Sequence, residues 1–240
     1  MYTILISVTV SALVGAITFA LSGSVLLATV LAIVVLLLIT VLIGRYFYKR
    51  MQSLMEQVEK DIKADKIERA VERMKGAYAY SNWQFMVKKQ IDSQIGTIYY
   101  ARKRFDEAFP LLKSAVVKNW PSMCMLASQY FRIKDYDKAL STMDKTMKGN
   151  KKEAFVYSLY AYMLMERGKT DKAIEVLHKG IEKLPTDERL VGELEAVRNN
   201  KKIKIQNYGA MWMQMHIGAK MPDGARQYQA FLSNQKIKRR

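Results

Sequence analysis

Residues 154–187 read AFVYSLYAYMLMERGKTDKAIEVLHKGIEKLPTD, and the reading of this stretch decides the fold. Its apolar residues fall three and four apart, the spacing that lines one face of an α-helix, and the same spacing holds from Arg45 onward with no run of strict alternation. Four prolines and twelve glycines interrupt the whole chain. The pattern predicts an all-α body. Within the stretch, Thr170-Asp171-Lys172-Ala173 has two counterparts upstream, Phe105-Asp106-Glu107-Ala108 and Tyr136-Asp137-Lys138-Ala139, so the chain repeats itself at intervals of 31 and 34 residues.

That period, with these residues, resembles the tetratricopeptide family, whose 34-residue unit is a helix, a turn and a second helix. Tyr157, Tyr160, Ala161, Leu164, Ala173, Leu177, Gly180 and Pro185 follow the family spacing in the third unit. The second, from Trp120, supplies Leu126, Ala127, Tyr130, Ala139 and Met143, with Lys151 in place of the closing proline. The first, from about Lys89, supplies Ile95, Gly96, Tyr99, Ala108, Leu112 and Ala115 and runs three residues short. Ala70, Met74 and Ala77 suggest a half-unit whose other helix is Met51 to Ile62, running on from the second of two apolar spans that precede it. The resemblance covers roughly residues 50 to 200. It implies small residues where two helices cross and large ones where units stack, since no unit buries its apolar face alone. Glu188 to Asn199 reads as a closing helix. Pro110 is expected near the start of a helix beginning at Phe105 or Asp106, where a missing amide costs little.

Outward from the repeats, the composition divides sharply. Residues 1–44 contain no Asp, Glu, Lys, Arg or His, although the chain carries 39 Lys plus Arg against 22 Asp plus Glu, a formal +17. A bilayer core of about 30 Å takes about 20 apolar residues as a helix. The uncharged run thus holds two spans, about 2–21 and 25–43, joined at Ser22-Gly23-Ser24. No positive charge precedes the first, as a secretory leader would require. Ser7, Ser11 and Gly15, with Ala28 and Ala32 on the second span, form small-residue stripes suited to close helix packing, within the hairpin or against a partner's helix. Arg45, Lys49 and Arg50 follow the second span and none interrupts the turn, so the positive-inside rule places the body in the cytoplasm of a bacterial-type inner membrane.

The expected organisation is a transmembrane hairpin over residues 1–44, a juxtamembrane helix and partial unit over 45–88, three repeat units over 89–187, a capping helix over 188–200 and a basic tail over 201–240. The resemblance implies a groove lined by first helices, carrying Ser93, Thr97 and Tyr100, then Cys124, Ser128 and Phe131, then Phe155, Ser158, Tyr162 and Met165. Family members that clamp a terminal carboxylate use Lys, Arg and Asn at several such places. Here Ser93, Thr97, Met125 and Leu159 stand instead, so a carboxylate clamp is excluded. A neutral groove rich in Tyr, Phe and Met suits an amphipathic helix or an extended apolar segment. The competing reading makes several of these aromatics inter-unit core.

Residues 201–240 hold nine Lys or Arg and one acid, Asp223, around Tyr208, Met211, Trp212, Met213, Met215 and His216. This tail has three readings: docking back onto the protein, lying on an anionic leaflet, or joining a partner surface. The first is favoured because Met and Trp fill irregular packing gaps. The end, Lys236, Lys238, Arg239 and Arg240, suits solvent or anionic lipid. Nucleic acid is a weaker partner, since basic and acidic residues are mixed over 45–200 and no zinc finger, phosphate loop or basic zipper appears.

Catalysis is not expected. One cysteine, Cys124, and two histidines, His178 and His216, cannot make a Cys/His zinc site or a disulfide framework. Glu193, Glu195, Glu56 and Glu59 read as helix-surface carboxylates, and no cofactor or metal is implied. The sequence thus predicts a membrane-anchored adaptor for a protein partner. A rival reading makes the hairpin a subunit of a larger integral complex.

Overall fold

The computed structural model describes residues 2–81, 87–203 and 205–218. Asp223 and the basic end, Lys236, Lys238, Arg239 and Arg240, lie outside them. The chain divides into two compact units, Met1–Ile98 and Tyr99–Arg240, and every described element is helical.

In the first unit, helix α1 spans Tyr2–Ser22 and α2 spans Val25–Lys63. The chain reverses at Gly23, whose φ of +65° suits the residue without a Cβ, and Ser24 caps α2 by accepting from the Leu27 amide at 3.4 Å. The 39 residues of α2 make a rod about 58 Å long at the standard helical rise. The sequence reading has the Met51 to Ile62 helix running on from the second span, and α2 is continuous through both, passing Gly44 without a break.

The packing of this hairpin inverts that of a water-soluble pair. Thr3, Ser7, Ser11 and Ala28 are buried at the α1–α2 contact, and a Cβ on Gly15 would stand 3.2 Å from the Ala32 Cβ. Leu13, Ile17 and Leu37 are instead more than half exposed. The buried hydroxyls are satisfied within their own helix, Ser7 donating to the Thr3 carbonyl at 2.8 Å and Ser11 to that of Val8 at 3.0 Å. Both helices are long and apolar enough to cross a membrane. Farther along, α2 packs on α3 (Ile67–Gly76) through Val58, Ala70, Val71 and Met74, and Arg73 pairs with the buried Asp61 at 2.5 Å. A 3-10 turn, Ala77–Tyr80, and then α4, Val87–Ala101, follow.

The second unit takes in the last turn of α4 and then α5 (Phe105–Leu112), α6 (Trp120–Arg132), α7 (Tyr136–Gly149), α8 (Ala154–Glu166), α9 (Thr170–Lys183), α10 (Glu188–Arg198), a 3-10 turn (Ile205–Tyr208) and α11 (Ala210–Met215). Helices pair as α6 with α7 and α8 with α9, and α10 closes on α9. Ala108, Ala127, Ala139, Ala161 and Ala173 have no exposed surface, which is where the repeat pattern asks for small residues. Gly180 allows the tightest crossing of α9: a Cβ there would lie 2.9 Å from Tyr157 Cγ and 3.2 Å from Leu190 Cδ1.

One turn geometry recurs inside the helix pairs of both units. Asp65, Lys103, Lys134 and Gly168 are left-handed, with φ of 61°, 62°, 63° and 68°. Each donates its amide three residues back, and the next residue's amide reaches five back: Lys134 to Phe131 and Asp135 to Tyr130, Gly168 to Met165 and Lys169 to Leu164. These bonds satisfy the carbonyls left open at a helix end. Helix α5 begins at Phe105, one of the two expected starts, which makes Pro110 its sixth residue; the carbonyl it leaves unpaired belongs to exposed Asp106, and the helix ends two residues later.

Candidate functional site

The first helices of the second unit present a face of aromatic and small residues, and the chain's own C-terminal segment lies across it. After α10, left-handed Asn200 turns the chain while Lys201 and Lys202 stay exposed. From there Ile203, Tyr208, Met215 and Ile217 are buried against the helices. Tyr208 packs edge to face on Phe155 of α8 at 5.1 Å, and Arg189 of α10 covers its other side, 4.5 Å from the ring centroid. Trp212 meets Tyr162 edge to face at 4.9 Å. At the far end, Tyr100 donates its hydroxyl to the Met215 carbonyl at 2.8 Å, and the His216 ring sits 5.6 Å from Tyr100 and 5.5 Å from Phe105. The segment therefore crosses from α10 over α8 to the last turn of α4.

Its backbone needs unusual conformations to do so. Gly209 sits at φ 55°, ψ −121°, a region closed to residues with a Cβ, and His216 is left-handed. Gly218, at φ 97°, comes so close that a Cβ would stand 2.9 Å from Trp212 and 3.1 Å from the Tyr162 hydroxyl.

A buried polar chain anchors the α10 end. Ser158 donates to Glu193 Oε2 at 2.5 Å, and because its single proton is spent there, the Tyr208 hydroxyl donates to Ser158, at 2.8 Å. Glu193 Oε1 has no hydrogen-bond partner among the described residues, nor has His216 Nε2. Burial pushes the Glu193 carboxyl up to about 7, against the Ser158 hydrogen bond that favours the ionised form. Burial, and then the charge of Lys103, hold the His216 imidazole below its ordinary value. Desolvation raises the Tyr100 and Tyr208 phenols and moves Tyr162 to about 12, so all three remain neutral donors at physiological pH.

The residues singled out from the sequence divide between the units. Ser93 and Thr97 lie on α4 in the first unit; Ser93 is buried and donates to the Gln90 carbonyl at 3.0 Å, and Thr97 donates to that of Ser93 at 2.8 Å. In the second unit, Tyr100, Phe155, Ser158 and Tyr162 touch the C-terminal segment. Cys124 and Ser128 are wholly buried, and burial followed by the charge of Glu153 raises the Cys124 thiol far above its usual range. Phe131 packs on Tyr136 at 5.1 Å and half-buried Met165 rests on the core. Arg45, Lys49 and Arg50 are exposed, with Arg50 Nε donating to the Tyr80 hydroxyl at 3.2 Å.

One sequence expectation is corrected: Glu193 is not a surface carboxylate but 3 % exposed. The signal was present, because Leu190, Glu193, Leu194 and Val197 share the inward stripe of α10. The sequence does not single out Arg189, and it marks Phe105 only as part of the repeat, since each acts on a segment distant in sequence. His178 is exposed beside Arg198, 2.8 Å from its Nη2. Among the described residues no group of three or more His, Cys, Asp or Glu is placed to hold a metal ion.

No family model matches this chain, and no curated protein matches it. Among solved structures it is similar to one described as a crystal structure of MamA protein, at 18% identity and a TM-score of 0.49, over 71% of this chain and 97% of that one. It is similar as well to MamA 41-end from Desulfovibrio magneticus RS-1, at 16% identity and a TM-score of 0.47, over 68% of this chain and 93% of the other.

Proposed function

We propose that this protein is a membrane-anchored, non-catalytic scaffold that recognises a segment of a protein partner on the face formed by Tyr100, Phe155, Ser158 and Tyr162. The observation that carries the reading is the chain's own segment lying there: a face that seats Tyr208 and Trp212 edge to face and hydrogen-bonds the Met215 carbonyl has the chemistry of a peptide receptor. Cys124, Ser128, Phe131 and Met165 support that face from behind and at its rim, while buried Ser93 and half-buried Thr97 belong to α4 in the first unit.

The hairpin supplies the anchor. Outward Leu and Ile with inward Ser, Gly and Ala suit hydrocarbon, and Arg45, Lys49 and Arg50 favour a cytoplasmic body in an inner membrane. Tethering raises the effective concentration of the face near membrane-bound clients, so a weak site suffices. The residues beyond 218 add basic charge for anionic lipid, and nucleic acid is not favoured as a partner. Against the rival reading, in which the hairpin is an interface within a larger integral complex, stands the use of Ser7, Ser11, Gly15, Ala28 and Ala32 inside the hairpin itself. A photocrosslinking residue at Phe131 or Met165 tests the scaffold in cells. It should trap one protein reproducibly; scattered traces at both positions would count against the reading.

A further inference from the structure

We infer that the segment Ile203–Ile217 is a resident pseudo-ligand, and that the external partner of this face presents a segment of the same chemistry: an aromatic residue, a second aromatic four residues on, and an apolar residue three beyond it, in a short helical turn. This rests on the scaffold reading above and adds to it the partner's pattern and the way the site is kept closed.

The resident spells that pattern as Tyr208, Trp212 and Met215, and these three make the contacts that hold it: Tyr208 on Phe155 and Ser158, Trp212 on Tyr162, and Met215 through its carbonyl to Tyr100. Three features make it a replaceable occupant rather than a closing helix of the stack. It depends on backbone conformations at Gly209 and His216 that an ordinary helix avoids. Among the described residues it leaves Glu193 Oε1 and its own His216 Nε2 buried without partners, so a ligand that brings a donor to Glu193 binds more tightly. It is joined to α10 through exposed Lys201 and Lys202, the Lys201 amide donating back to the Ala196 carbonyl of α10 at 2.7 Å. Leu190, Leu194 and Val197 of α10 are buried in one core with α8 and α9, and Ile203, Tyr208, Met215 and Ile217 of the segment are buried against that same core.

Gly209 provides the test. Nothing lies within 4 Å of a Cβ built there, so Gly209→Ala strains the docked backbone and leaves the helices untouched. The full chain, purified in mild detergent, would be titrated with a fluorescent peptide of residues 203–218 and with the same peptide carrying Tyr208→Ala and Trp212→Ala. The expected result is binding of the native peptide to the Gly209→Ala chain at least about fivefold tighter than to the unaltered chain, with no binding of the altered peptide. Equal binding by both chains, or none by a Gly209→Ala chain that still melts cooperatively, overturns the inference. Hydrogen exchange on the unaltered chain keeps the test independent of that variant: amides of 207–217 should exchange well ahead of those of α8, and exchange in step with α8 would show a permanent core element. Neither outcome bears on whether Phe131 or Met165 traps a partner in cells, so failure here and failure of the scaffold reading are told apart.

Discussion

The α1–α2 hairpin and the α8–α9 pair pack by one rule in opposite settings. In both, a glycine brings two helices close: Gly15 against Ala32, and Gly180 against Tyr157. What lies on the far side differs. Leu13, Ile17 and Leu37 face outward on the hairpin, whereas α9 turns out Lys172, Glu175 and Lys179, the last two paired at 2.6 Å. Small residues at the crossing set the distance between helices, and the outward residues choose the surrounding medium. In a bilayer no hydrophobic drive would act between the helices and the hairpin would be held by contact alone, while the α8–α9 pair is held by buried apolar area as well.

That contrast can be broken at either end. Leu177, fully buried beneath α8, is the largest lever: Leu177→Ala should cost about 2–5 kcal/mol and lower the thermal midpoint of the helical body, with membrane association unchanged. Gly15→Leu should cost about 1–3 kcal/mol by overpacking the hairpin. Spin labels at Tyr2 and Ile43 would then move apart, without any shift in the melting of the body.

Glu193 sharpens the comparison, because only the second unit is expected to respond to it. Its carboxyl lies near 7 in the folded protein against an ordinary 4.5, so its contribution to stability is complete below about pH 4.5 and is lost as the pH rises through about 7. Glu193→Gln should remove that alkaline loss and leave the body about 1–3 kcal/mol more stable than the unaltered chain at pH 8, as read by denaturant melts across pH. His216 acts in the opposite sense. Its depressed imidazole contributes fully above about pH 6.5, and that contribution is lost as the pH falls through the folded value. The smallest effect belongs to the repeated turn: Lys134→Gly should gain about 0.5–1 kcal/mol by relieving a left-handed side chain.

Local spacing carries the fold legibly in this chain. Ala108, Ala139 and Ala173, the residues that mark the period, are fully buried, and the uncharged run forms two helices whose ends lie within a residue of the expected spans on three of four sides. At the fourth, α2 runs on past the span to Lys63, through the stretch where the sequence reading continues the helix to Ile62. The site was less legible. Tyr100, Phe155, Ser158 and Tyr162 are among the residues expected along a groove, but the segment that touches them lies up to 115 residues away, held by glycine and left-handed backbone that no periodicity announces. Glu193 was missed because a carboxylate was read by its charge before its position on the stripe.

The inversion between the two regions is tested most directly by spin-label accessibility in vesicles of anionic and neutral phospholipid. The one native cysteine, Cys124, is buried, so single cysteines replacing Leu13, Leu37 and Lys172 can be labelled cleanly. Labels at Leu13 and Leu37 should be open to oxygen and shielded from a water-soluble nickel reagent, with the reverse at Lys172. Nickel access at Leu13 and Leu37 equal to that at Lys172 would contradict the membrane anchor on which the scaffold reading depends.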